Sequence, residues 1–141
     1  SNYAQPGEEC RHNLIYWTGG SFVGIGPGAH GRMTIGEKRY LTEAPSKPEL
    51  WLKMIKDGNI KNFSKRLISA NEQAEEYVMM GLRLKDGFDT SKYFNITKKE
   101  LSKCKIEKLR SENLIETSKN RLRTTDRGKL LTNYIIKELL C

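Results

Sequence analysis

Two histidines, three cysteines and one glycine-rich turn are the groups through which this 141-residue chain can do chemistry. His12 opens the run His12-Asn13-Leu14-Ile15-Tyr16-Trp17, and His30 sits in Gly26-Pro27-Gly28-Ala29-His30-Gly31. A neutral imidazole ligates iron or moves a proton near neutral pH, and the aromatic rings of Tyr16 and Trp17 beside it suit a flat macrocycle. On residue type alone the plainer reading, a hydrogen-bonded structural histidine, stays open for both. No Ser-His-Asp or Cys-His nucleophile arrangement is legible, and no pair of carboxylates stands out.

The run Gly26 to Gly31 matches G-x-G-x-x-G and follows a strand-like stretch. In a dinucleotide site the third glycine must open a helix whose N-terminus faces the pyrophosphate. Here Arg32-Met33-Thr34-Ile35-Gly36 follows, a poor helix start, and no βαβ unit is present. The context therefore predicts a tight turn with close backbone approach rather than a nucleotide cradle. Cys10, Cys104 and Cys141 are odd in number, far apart and without a C-x-x-C pair. No disulfide framework and no self-contained zinc or iron–sulfur site is expected, and reduced thiols of a cytoplasmic protein fit better. Asn62-Phe63-Ser64 and Asn95-Ile96-Thr97 are then chance matches to glycosylation triplets.

The formal net charge is +8 and the pI near 9.4. Such a balance permits nucleic acid, anionic ligands or an acidic partner and selects none of them. Split at Asn71, each part of the chain carries +4, so the basicity is not held in a tail. Apolar runs reach at most four residues, so no transmembrane segment is expected, which would need about 20. Ser1 to Pro6 lack a basic region followed by an apolar one, so no signal peptide is expected there; without a Met start the chain reads as part of something longer.

The elements that must position these groups change character along the chain. Residues 1–45 hold most of the glycines and both histidines without a helical period. Leu14–Trp17 and Ser21–Ile25 read as short strands around Thr18-Gly19-Gly20, and Arg32–Leu41 as a hairpin around Gly36-Glu37. Residues 46–71 supply a helix from Pro48, with Leu50, Trp51, Met54 and Ile55 at helical spacing, and a linker. In residues 72–141 the capping-box pattern Ser69-x-x-Glu72 precedes a stripe at Ala74, Tyr77, Val78, Gly81 and Leu82. Asp89-Thr90 caps a short helix. Thr97-x-x-Glu100 opens another through Leu101, Cys104 and Leu109, Leu114–Thr117 and Arg121–Thr124 form a hairpin, and Thr125-Asp126 starts a single final helix. Helix, helix, helix, hairpin, helix is the order of a winged-helix module. Lys98, Lys99, Lys103, Lys105, Lys108 and Arg110, with Arg121 and Arg123, would then lie where such a module touches DNA. At about 100° per residue only Lys99, Lys103 and Arg110 share a narrow sector, and Glu100 and Glu107 beside it repel phosphate. A solvated mixed-charge face is the expectation, and a nucleic-acid-binding winged helix the alternative.

The string from Ser1 through H-N-x-x-Y-W, followed closely by Gly24-Ile25-Gly26-Pro27-Gly28-Ala29-His30-Gly31, resembles the radical-SAM haem chaperones of the HemW type, long described as oxygen-independent coproporphyrinogen III oxidases. Met80-Gly81-Leu82-Arg83-Leu84 and Arg123-Thr124-Thr125-Asp126-Arg127-Gly128 are similar to the HemN-type C-terminal domain of that family. The resemblance implies an α+β fold: strands from the end of a partial (β/α) barrel in residues 1–45, then a mainly helical, winged-helix-like domain. It implies a haem or porphyrin contact at His12, supported by Tyr16 and Trp17. Gly26, Gly28, Ala29 and His30 would then lie near S-adenosylmethionine or substrate. The family's C-x-x-x-C-x-x-C, which holds a [4Fe–4S] cluster, has no counterpart here. No catalytic residue, cluster or resident cofactor is therefore expected in this chain by itself; cluster, S-adenosylmethionine and haem belong to a full-length parent, with a haem-accepting protein as partner. The apolar residues Ile15, Trp17, Phe22, Val23 and Ile25 are expected to be uncovered without the barrel and to favour self-association.

Overall fold

A computed structural model describes residues 4–5, 7–59 and 63–140. Ser1, Asn2, Tyr3 and Pro6 of the motif string, Asn62 of one glycosylation triplet, and Cys141 lie outside the described residues. The elements run α1 (Arg11–Trp17), β1 (His30–Ile35), β2 (Lys38–Glu43), α2 (Pro48–Lys56), β3 (Ser64–Leu67), α3 (Ala70–Gly81), β4 (Phe88–Asp89), α4 (Thr90–Thr97), α5 (Lys103–Ser111), β5 (Ile115–Ser118), β6 (Arg121–Thr124), α6 (Asp126–Leu130) and α7 (Thr132–Leu140). Helices with two small antiparallel sheets make an α+β chain, as expected. Contacts divide it into two units, one holding the residues up to Gly19 and from Ala70 onward, the other Gly20–Ser69.

In the second unit the strands form an antiparallel meander of order β1-β2-β3, with Arg32 opposite Leu41 and Tyr40 opposite Leu67. The expected hairpin is present, and its two-residue turn places Gly36 at φ +60°, a conformation that costs glycine little. α2 starts where Pro48 predicted, because proline lacks only an N–H that a first turn leaves unused. β3 was not foreseen: Ser-Lys-Arg-Leu is an edge strand whose four residues are all exposed. Among this unit's described residues only Gly31, Arg39, Ala44 and Ile68 are buried, a thin core.

The other unit has a continuous core. Tyr77 and Val78 from α3, with Leu82 just after it, meet Phe88, Leu101, Leu109, Leu114, Ile115, Leu122, Ile135 and Leu139. Its sheet has the order β4-β6-β5, with Phe88 opposite Leu122 and Ile115 opposite Thr124. Gly81 lets the Phe88 side chain lie against α3, where an added Cβ would sit 2.5 Å from the Phe88 Cβ.

Several expectations are corrected. Leu14–Trp17 is part of helix α1, not a strand: a four-residue apolar run does not distinguish the two by period. Thr18 and Gly19 close that helix, their amides donating to the Leu14 and Tyr16 carbonyls, so Thr18-Gly19-Gly20 is a helix terminus rather than a hairpin turn. Ser21–Ile25 forms no strand; Phe22 alone bridges to Arg32. Thr97 ends α4 instead of opening a helix: its hydroxyl donates to the Tyr93 carbonyl and accepts from the Lys99 amide, 3.0 Å each. α5 begins only after Ser102. The single C-terminal helix is two, broken at Leu131 (φ −115°).

Candidate functional site

His12 and Tyr16 stand one helical turn apart on α1, and the Tyr16 hydroxyl is hydrogen-bonded to His12 Nε2. The i,i+4 spacing of H-N-x-x-Y is what brings the two side chains together once the segment is helical. Their ring centroids are 4.6 Å apart at 84°, edge to face. Trp17 lies about 140° round the helix from His12, and like Asn13 and Leu14 it is half-buried. Arg11, His12 and Ile15 are exposed, Ile15 at 41%. Tyr16 is half-buried as well, and the i,i+4 spacing brings Tyr16 rather than Trp17 to the His12 side chain.

What holds α1 in place was not legible. Lys92 of α4 donates from Nζ to the Thr18 carbonyl at 2.7 Å and rests 5.0 Å above the Tyr77 ring. Gly19, at φ +70°, closes on the same ring, where an added Cβ would meet Tyr77 Cδ2 at 3.3 Å. Thr18 and Lys92 are 74 positions apart, a separation that no local pattern signals.

The glycine-rich turn is in the other unit and is described by itself. Gly26 and Gly28 have φ +111° and +67°. Gly24 and Gly31 are required by space: an added Cβ would run into the His30 carbonyl oxygen and into Thr42 Oγ1, respectively. The Gly28 amide donates to the Pro45 carbonyl at 2.9 Å, the Ala29 amide to the Gly26 carbonyl at 3.3 Å, and the Ala44 amide to the Ala29 carbonyl at 2.9 Å. Amides committed to the turn's own backbone cannot cradle a phosphate. The expected tight turn with close backbone approach is what forms. His30, exposed, starts β1 opposite Glu43.

Three of the basic residues of α5 and the β5–β6 hairpin are engaged within the chain. Lys108 pairs with Glu138 at 2.8 Å and Arg123 with Glu116 at 2.6 Å. Arg121 donates to the Asp86 and Gly87 carbonyls. Cys10 and Cys104 are exposed free thiols. Among the described residues no three His, Cys, Asp or Glu side chains converge as a metal site. Nor is any described helix long and apolar enough to cross a membrane.

Residues 68–131 match the family model of the HemN C-terminal domain. Over 99% of its length the chain is similar to proteins named heme chaperone HemW: 31% identical to that of Mycobacterium tuberculosis and 29% to that of Bacillus subtilis, covering 34% and 37% of those proteins. It is also 25% identical over 99% of its length to the Danio rerio protein named radical S-adenosyl methionine domain-containing protein 1, mitochondrial, covering 34% of that protein. The chain spans about a third of the length of the curated relatives it matches, and it is similar to their C-terminal part. No solved structure matches it.

Proposed function

We propose that this chain is the haem-handling C-terminal region of a radical-SAM haem chaperone, and that its haem contact is the His12–Tyr16 face of α1. The observation that carries the reading is the hydrogen-bonded pair of the exposed His12 and the half-buried Tyr16, held one turn apart beside the exposed Ile15. A nitrogen and an oxygen donor next to apolar surface are the groups that haem iron and the porphyrin face require. Trp17 contributes by packing α1 in place. Gly26, Gly28, Ala29 and His30 line the side nearest S-adenosylmethionine or substrate in the parent; in support, nothing lies within 4 Å of a Cβ placed on Gly26, and His30 is exposed. Cluster and S-adenosylmethionine, with the barrel that binds them, belong to the part of the relatives that this chain does not span. There they supply the radical chemistry of the family.

In this reading the unit from Ala70 onward is a winged-helix-like platform for a haem-accepting partner, on the support of its helix, hairpin and helix order. The ion pairs at Lys108 and Arg123 weigh against the nucleic-acid alternative, because phosphate contacts need free cations. The test is a titration of the full chain and of His12→Ala with haem, followed at the Soret band. Loss of binding in the variant is expected. Equal binding by both places the contact elsewhere.

A further inference from the structure

We infer that the exposed apolar patch of Leu130, Leu131 and Tyr134, with the cations that border it, is the surface on which this domain receives an acidic, amphipathic segment of a partner protein. The inference rests on the platform reading of the unit from Ala70 onward, and it names the surface and the chemistry of what docks there.

Leu130 is 86% exposed, Leu131 43% and Tyr134 37%. The chain stays nearly helical where α6 passes into α7: the Leu131 amide donates to the Gly128 carbonyl at 2.9 Å, and the Ile135 amide to the Leu131 carbonyl at 3.1 Å. At about 100° per residue the three side chains then share roughly 100° of the helix surface. Gly128, Ile135 and Leu139, on the adjoining sector, are buried in the core. Tyr134 lies under the ammonium of Lys108 from α5 at 5.9 Å, and Lys108 is pinned by Glu138 at 2.8 Å. An aromatic side chain held before binding loses little freedom on contact.

The charge of the border selects the occupant. α5, α6 and α7 carry seven Lys and Arg against three Asp and Glu, with Glu112 half-buried just past α5. Two of the three carboxylates are taken up, Glu138 by Lys108 and Asp126 by Lys129. Glu107 lies about 160° round α5 from Lys105. Lys105 and Lys137, whose charges both act on Glu138, and Arg127, one turn before Leu130 and Leu131, leave the edge positive. A second copy of the patch would set the same sign against itself, which opposes pairing. A nucleic-acid backbone offers phosphates but nothing against which three apolar side chains can bury. A segment with apolar residues on one face and carboxylates beside them satisfies both parts of the surface.

The experiment measures, by fluorescence anisotropy, the binding of a synthetic helical peptide with leucines on one face and glutamates on the other. The full chain is compared with Leu130→Ser and with the double variant Lys105→Gln, Lys137→Gln. A peptide with lysine in place of every glutamate is the control. The expected result is binding of the acidic peptide only, weakening as salt rises. Leu130→Ser is expected to bind about tenfold more weakly, the loss of one apolar anchor. The double lysine variant is expected to bind about fivefold more weakly, with a flatter salt dependence. Acidic-peptide binding that is equal in all three chains overturns the inference and leaves the platform reading standing, with the contact elsewhere. Equal binding of the two peptides overturns the acidic chemistry, and binding of neither overturns both readings. If the parent instead self-associates, or binds vesicles of phosphatidylcholine and phosphatidylglycerol, and Leu130→Ser loses that behaviour, the patch has another occupant and the inference fails.

Discussion

The Tyr77 hydroxyl grips the backbone of Asp89 from both sides. It accepts the Asp89 amide at 3.0 Å and donates to the Asp89 carbonyl at 3.4 Å. Asp89 in turn caps α4, its carboxylate accepting the Ser91 amide at 2.8 Å. The Tyr77 ring meets Phe88 edge to face at 5.7 Å and lies under the ammonium of Lys92, which holds the end of α1. One side chain of α3 therefore joins β4, α4 and the helix that carries His12 and Tyr16.

Replacing Tyr77 by phenylalanine keeps the ring and leaves the Asp89 amide without this acceptor. A loss of about 1–2 kcal/mol in urea unfolding is expected. Burial, the largest cause, pushes the Tyr77 phenol above its usual range, and the Asp89 charge adds to this. A raised folded-state value contributes stability that is complete below the unfolded value, about pH 10, and is lost as pH rises beyond it, because the unfolded chain releases the proton first. The gap between parent and Tyr77→Phe should narrow as unfolding is measured at increasingly alkaline pH. A gap independent of pH would rule out the burial argument.

Gly128 and Gly36 separate close approach from backbone conformation. A Cβ on Gly128 would drive into the Leu114 carbonyl oxygen and sit 3.2 Å from Ile135 Cδ1, whereas Gly36 has φ +60° and open space. Gly128→Ala is expected to cost about 3 kcal/mol or more, and Gly36→Ala roughly 1 kcal/mol. Denaturation of both variants that gave equal losses would refute the steric reading of Gly128.

The Thr125 hydroxyl accepts the Gly128 amide at 2.9 Å and donates to the Asn113 carbonyl at 2.7 Å. It caps α6 and ties it to the end of α5. Thr125→Ala should lower stability by about 1 kcal/mol, with Thr125→Ser recovering most of the loss.

Glu138 on α7 is held below the usual carboxylate range, first by its hydrogen bond with Lys108 of α5 and then by the charges of Lys108, Lys105 and Lys137. A depressed folded-state value means stability that is present above the unfolded value and lost as pH falls through the folded one. The pair is solvent-exposed, so its effect on stability is small. The carboxyl resonance of Glu138, followed by NMR, should titrate at higher pH in Lys108→Met than in the parent chain. An unchanged midpoint would contradict the pairing.

Val23 and Ile25 are 68% and 88% exposed beside the glycine-rich turn. Two neighbouring apolar side chains in water favour association. Light scattering should fall for the Val23→Ser, Ile25→Ser double variant relative to the parent at equal concentration. Unchanged scattering would place any association elsewhere, for instance at Leu130, 86% exposed on α6.

Much of this protein is local in origin. The 3.6-residue stripe Ala74, Tyr77, Val78, Gly81 encodes α3, Pro48 the start of α2, Asp89 and Thr125 the caps of α4 and α6, and the turns at Gly36-Glu37 and Lys119-Asn120 their hairpins. Each depends on bonds or burial within a few residues, so residue type and spacing suffice. The same holds for the family resemblance, carried by H-N-x-x-Y-W and the glycine-rich run. Tertiary contacts decided the rest. Leu14–Trp17 has no period long enough to choose between strand and helix, and the choice is made where Lys92 and Tyr77 hold Thr18 and Gly19. That choice sets His12 beside Tyr16 and turns Trp17 away. Thr97-x-x-Glu100 carries a capping box's letters, but Thr97 is already bonded to Tyr93 at the end of α4, so its hydroxyl has no helix to start. Gly31 illustrates the same limit: its place in G-x-G-x-x-G predicts a close approach, and only the pairing of β1 with β2 shows that Thr42 is what approaches.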